Sequence, residues 1–148
     1  MTRVQLTSAA AVLVTLLAAC VDFEAPEDPT FGLPDVLVEE PSLARDVQPI
    51  LDKRCAFGGC HSATTRQAGL VLVSGASHGA LVGRPARLNP GDTLVIPGAA
   101  SRSWLMKMVG RDAAARSGVS RMPLAAAPLT ANQIATIARW IDRGATRE

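Results

Sequence analysis

Apolar positions are spread unevenly along the chain, and their spacing divides it into three parts. After a single positive charge at Arg3, residues 9–19 form an almost unbroken apolar run. At about 11 residues it is too short to stay in a bilayer as a spanning helix. Its length and place predict the core of an export signal over residues 1–19. Residues 21–41 reverse the pattern, with Pro26, Pro29, Pro34 and Pro41 and seven acids among them but no Lys or Arg. Such a stretch repels itself and predicts an extended tether without regular structure. The apolar triplets at 31–33 and 36–38 are where it would lie on the folded part if it docked. No later apolar run is long enough for a membrane span.

From residue 42 onward helical periodicity takes over. Val47, Ile50 and Leu51 share one face of a first helix that starts at Leu43 or Asp46 and ends near Arg54. Ser42 or Asp46 is its N-cap, and Pro49, tolerable only in a first turn, sets the regular helix to begin near Val47. Residues 70–73 read as a short strand-like or extended piece and 78–83 as one or two helical turns. Residues 84–97, with their prolines and Gly91-Asp92, read as loop. A further helix runs from about Ser101 to Arg111 with Trp104, Leu105 and Met108 inward, followed by loop over 113–128. The last helix has the clearest signature. Thr130 and Gln133 match the capping box, Leu129 and Ile134 the hydrophobic staple, and Ile134, Ile137 and Ile141 recur at helical spacing beside Trp140. Arg139 and Arg143 suit its C-terminal end, and Gly144 its stop. The fold class is therefore mainly α, with three to five short helices and long loops.

Composition changes this picture in two ways. Two Trp, three Phe and no Tyr leave a small domain short of large rings to fill a core, a volume that a bound cofactor would supply. The charge is also segregated, because residues 42–148 hold fourteen Lys or Arg against six acids. That basic surface is either simply solvated or attracts an acidic partner, cofactor carboxylates or anionic lipid. No aromatic-interleaved basic stripe, zinc finger or helix-turn-helix pattern accompanies it, so nucleic acid is not an expected partner.

The candidate chemistry lies in three cysteines and their neighbours. Leu17-Ala-Ala-Cys20 stands where a signal peptide would be cleaved. It resembles the bacterial lipobox, whose Cys is acylated and tethers a soluble product to a membrane. Cys55 and Cys60 remain, and His61 follows at once. Two Cys followed directly by His is the chemistry of c-type haem attachment, with two thioethers to the porphyrin and an imidazole on the iron. Here four residues rather than two separate the Cys, and Gly58-Gly59 would let the extra residues bulge.

The order of motifs around this site is similar to that of single-haem cytochrome c domains of bacterial envelope proteins. It comprises Val47-Gln-Pro-Ile-Leu51, the Cys55–His61 segment, Pro97-Gly98 with Ser103-Trp-Leu105, Met122-Pro123, and Trp140-Ile-Asp-Arg-Gly-Ala145, covering about residues 46–145. The resemblance implies a cytochrome c-like domain over 42–148, preceded by a lipidated Cys20 and tether over 20–41. One covalent haem c would be held by thioethers from Cys55 and Cys60, with His61 as proximal and Met122 as distal ligand to iron, a pair that raises the potential relative to two His. Pro123 would stiffen the approach of Met122, the terminal helix would cross the first, and Trp104 and Trp140 would pack at the haem edge. The product would be an electron carrier rather than a catalyst, anchored in the cell envelope in the periplasm or at the surface and served by an acidic redox protein. Met106 and Met108 are rival ligands placed in a helix, His78 is a possible second one, and a displaceable Met would permit peroxidase chemistry. The main alternative keeps the fold without haem, with a Cys55–Cys60 disulfide and a structural or partner-binding role. Zinc held by Cys55, Cys60, His61 and His78 is a third option, disfavoured because adjacent Cys and His ligate one metal poorly. No P-loop, dinucleotide fingerprint or nucleophile elbow is present.

Overall fold

A computed structural model describes residues 28, 30–110 and 118–148. The export signal, Cys20 and the first part of the tether, together with residues 111–117 at the end of the expected helix and the start of the expected loop, lie outside the described residues. The described part is mainly helical. Its four α-helices are α1 (Gln48–Arg54), α2 (Ser77–Leu81), α3 (Trp104–Val109) and α4 (Ala131–Asp142). Strand pairing among the described residues is limited to two isolated bridges, Val82 with Val95 and Pro85 with Thr93. No helix there is long and apolar enough to cross a membrane.

The entry to α1 is wider than the sequence predicts. A π-helical turn over Leu43–Val47 leads into it, so Pro49 falls at the start of the α-helix, where its missing N–H costs nothing. Ser42 is the cap. Its hydroxyl accepts from the Arg45 N–H at 3.2 Å, while its own N–H donates to Asp46 at 2.8 Å. Val47, Ile50 and Leu51 are buried on one face as expected.

α4 follows its signature closely. The Thr130 hydroxyl accepts from the Gln133 N–H at 3.1 Å and the Gln133 side chain accepts from the Thr130 N–H at 3.1 Å, which satisfies two donors that the first turn would leave open. At the other end Gly144 takes φ +102°. Its N–H and that of Ala145 reach back to the carbonyls of Ile141 and Trp140, both at 2.9 Å, closing a Schellman motif. The buried side chains of α4, Ile137, Trp140 and Ile141, join Leu43, Val47, Ile50 and Leu51 in the main core, and α4 packs on the Leu43–Val47 turn. The Pro97-Gly98 turn is fastened to the same helix end: Gly98 N–H donates to Ile141 at 2.8 Å and Ala100 N–H to Asp142 at 2.8 Å.

Two expectations need correction. The described part of the acidic stretch has no helix or strand, but it is not a free tether. Asp35 accepts from Thr130 and Asn132 at the start of α4, at 2.6 and 3.0 Å. Glu39 pairs with Arg139 and Glu40 with Arg143 further along. Self-repulsion is offset because the acids face Arg139 of α4 and Arg143 at its C-terminal cap. Residues 70–73 form no strand: Leu70 is extended, Val73 lies in a bend, and the Leu72 N–H donates to the His61 carbonyl at 2.8 Å.

Candidate functional site

One side of the fold is hollow. A cavity of about 1060 Å³ lies between the Cys55–His61 segment, residues 67–72, the 79–88 stretch, α3 and residues 119–125. That matches or exceeds the roughly 300–1,000 Å³ usual for organic-ligand pockets. Leu72, Leu81, Leu94, Leu105 and Val109 give it apolar walls. Large apolar side chains ring its open side: Phe57, Leu88 and Leu124 are 46%, 60% and 62% exposed and all three line the cavity, as do the exposed cations Arg84 and Arg87. The ring shortage noted in the sequence thus corresponds to space left beside the core.

The four-residue insertion between the Cys folds back on itself. Cys60 N–H donates to Phe57 at 3.1 Å, and His61 N–H spans the whole insertion to the Cys55 carbonyl at 3.0 Å. The left-handed residue in this turn is Gly59, at φ +87°, rather than both glycines. Folded in this way, Cys55, Cys60 and His61 all line the one cavity. The two sulfurs are not bonded to each other. Cys55 is 8% exposed, and burial pushes its thiol up to about 12, with the Arg54 charge working against that and Cys60 adding to it.

His61 is oriented by the backbone. Its Nδ1 lies 3.1 Å from the Gln67 carbonyl oxygen. A carbonyl only accepts, so Nδ1 carries the proton and the Nε2 lone pair is left for a ligand. The 66–69 turn that presents this carbonyl is unusual, with Arg66 and Ala68 at positive φ without being glycine. Burial lowers the His61 pKa, opposed by hydrogen bonds to the backbone at Gln67 and Leu70. The ring is therefore neutral at pH 7, the form a metal takes.

Met122 also lines the cavity and is half-buried. Its N–H donates to the Met108 carbonyl at 2.8 Å, which ties its loop to α3. Met108 lines the cavity as well, whereas Met106 does not and packs on the main core instead. Trp104 lies in the cavity wall, but Trp140 is buried in the main core with its indole N–H on the Thr146 carbonyl at 2.8 Å. Its expected place at a haem edge is therefore corrected: α4 turns that ring toward the C-terminal segment. His78 is likewise elsewhere. It lines a separate small cavity and meets the Ala145 carbonyl at 2.9 Å, so it belongs neither with Met122 nor in a zinc set with the cysteines. No group of three or more His, Cys, Asp or Glu suited to a metal ion occurs among the described residues.

Sequence reasoning missed Arg54, which also lines the cavity. Its place before Cys55 carried no signal, since a Lys or Arg ending a helix is ordinary.

Two thiols, an imidazole and a thioether line one apolar cavity, the side-chain types that would hold a covalent, axially ligated porphyrin. No protein-family model matches the chain, and neither does any curated protein or solved structure.

Proposed function

We propose that the chain is an exported, lipid-anchored electron carrier whose cavity holds one haem c in a cytochrome c-like fold. The observation that carries this reading is that Cys55, Cys60, His61 and Met122 line one apolar cavity, with His61 Nδ1 held 3.1 Å from the Gln67 carbonyl oxygen. Cys55 and Cys60 would hold the group through thioethers, and His61 and Met122 would be its axial ligands. When bound, the haem supplies a one-electron couple. The chain's own part is to position and to insulate. The Gln67 carbonyl fixes the imidazole tautomer and raises its basicity, and the leucine walls exclude water from the ligands.

The ring of Phe57, Leu88 and Leu124 with Arg84 and Arg87 beside it suits docking of an acidic redox protein. Cys20, acylated after removal of residues 1–19, would hold the domain at a membrane of the cell envelope. The haem-free alternative would join Cys55 to Cys60 in a disulfide. Burial pushes the Cys55 thiol up, which opposes thiolate chemistry at that sulfur in the folded chain for either fate.

The test is expression in a host competent for haem attachment. Wild type gives total iron matching the protein and a Soret band that survives denaturation. His61→Ala abolishes accumulation of the holo-protein. Met122→Ala keeps the covalent haem but loses the weak near-infrared sulfur-to-iron band; if the band is unchanged, Met122 is not the ligand and Met108 becomes the candidate.

A further inference from the structure

We infer that Arg54 is a positioning residue: it latches the loop that carries Met122 to the segment that carries Cys55 and His61. This deepens the haem reading and rests on it for the role of Met122, but the latch itself is a property of the polypeptide. Arg54 ends α1, directly before Cys55, and is 2% exposed. An arginine is rarely buried so completely unless its charge is met by specific partners. Its guanidinium donates to the carbonyls of Ala127 and, at 3.2 Å, Pro128. The Phe31 ring stacks on it, 4.0 Å from Cζ to centroid.

The partners decide the role. Residues 118–128 contain no helix or strand, so nothing in their own backbone pattern fixes where Met122 lies. The loop is pinned before its turn by the Met122 N–H on Met108 and beyond it by the two carbonyls on Arg54. One guanidinium nitrogen, Nη2, meets both carbonyls while the planar face of the group lies on an aromatic ring. An apolar side chain of equal volume offers no donor to either carbonyl. Arg54 therefore sets the separation between the two walls of the cavity that bear the axial ligands. Through Phe31 the acidic stretch also touches this latch.

The test uses the full chain purified from a host competent for haem attachment, with two readouts. One is the sulfur-to-iron band. The other is hydrogen exchange of the Met122 amide and its neighbours in 118–128, referenced to α4 in the same molecule. Arg54→Met keeps the volume and removes the donors. The inference expects α4 protection to be retained, exchange in 118–128 to rise about tenfold or more, and the band to weaken, with Arg54→Lys intermediate. Unchanged exchange and an unchanged band in Arg54→Met would overturn it and leave Arg54 as core filling. Should Arg54→Met not fold, Phe31→Leu removes only the stack; it is expected to loosen 118–128 measurably, and no change there overturns the inference. Protein without haem in which 118–128 still loosens supports the latch while sinking the haem reading, so the two failures are told apart.

Discussion

Burial of Cys55 makes a quantitative prediction about the reactivity of that thiol in the folded, haem-free chain. The thiol is pushed up to about 12. At about pH 8 such a thiol is thiolate to roughly 1 part in 10,000, against about a quarter for a free cysteine of pKa about 8.5, a ratio of roughly 2,000. A more basic thiolate is intrinsically more nucleophilic, which recovers roughly 25–60-fold. The net expectation is that Cys55 in the folded, haem-free chain reacts roughly 40–100 times more slowly than the same residue in urea. Its 8% exposure slows it further. The assay is timed alkylation of haem-free protein in native buffer and in urea, with site-resolved mass spectrometry of the Cys55 and Cys60 peptides. Equal rates for Cys55 in the two conditions, or spontaneous Cys55–Cys60 disulfide formation in the native chain at the rate of the unfolded one, would refute the burial argument.

Other predictions follow from the same packing. His61 is held below its ordinary value by burial, so the unfolded chain binds the proton first. The stability contribution is complete above about pH 6.5 and lost as pH falls through the folded value; urea midpoints of haem-free wild type should fall more steeply below that pH than those of His61→Gln, and parallel curves would contradict it. Thr130→Ala removes the α4 cap and the hydrogen bond to Asp35; it should cost about 1 kcal/mol, seen as a Tm lower by about 4–8 °C. Arg84→Glu combined with Arg87→Glu should slow electron exchange with an acidic redox protein by about tenfold at low ionic strength, with the difference shrinking as salt is added; a salt-independent effect would place docking elsewhere.

How much of this was legible depended on whether the governing interaction was local. The α4 cap could be read because Thr130 and Gln133 bond to each other's backbone within one turn, and the first-helix face because Val47, Ile50 and Leu51 repeat at helical spacing. Cys55, Cys60 and His61 could be grouped because they are near neighbours in the chain. The features that were not legible come from distant pairings. The acidic stretch reads as self-repelling until α4 presents Arg139 and Arg143 to it. Trp140 reads as a ring for the cofactor, yet the C-terminal turn at Gly144 brings the Thr146 carbonyl to its indole. Arg54 looks like an ordinary helix-ending cation until the 118–128 loop folds over it. His78 was separable from the site only by seeing which cavity its ring lines.

The central claim is that a covalent porphyrin occupies the cavity lined by Cys55, Cys60, His61 and Met122. The most direct measurement is the mass and absorption spectrum of the mature product exported by a host with haem-attachment machinery. The expected product is a coloured protein whose peptide over residues 55–61 carries one haem through both cysteines. A colourless product whose corresponding peptide holds a Cys55–Cys60 disulfide and no iron would contradict it.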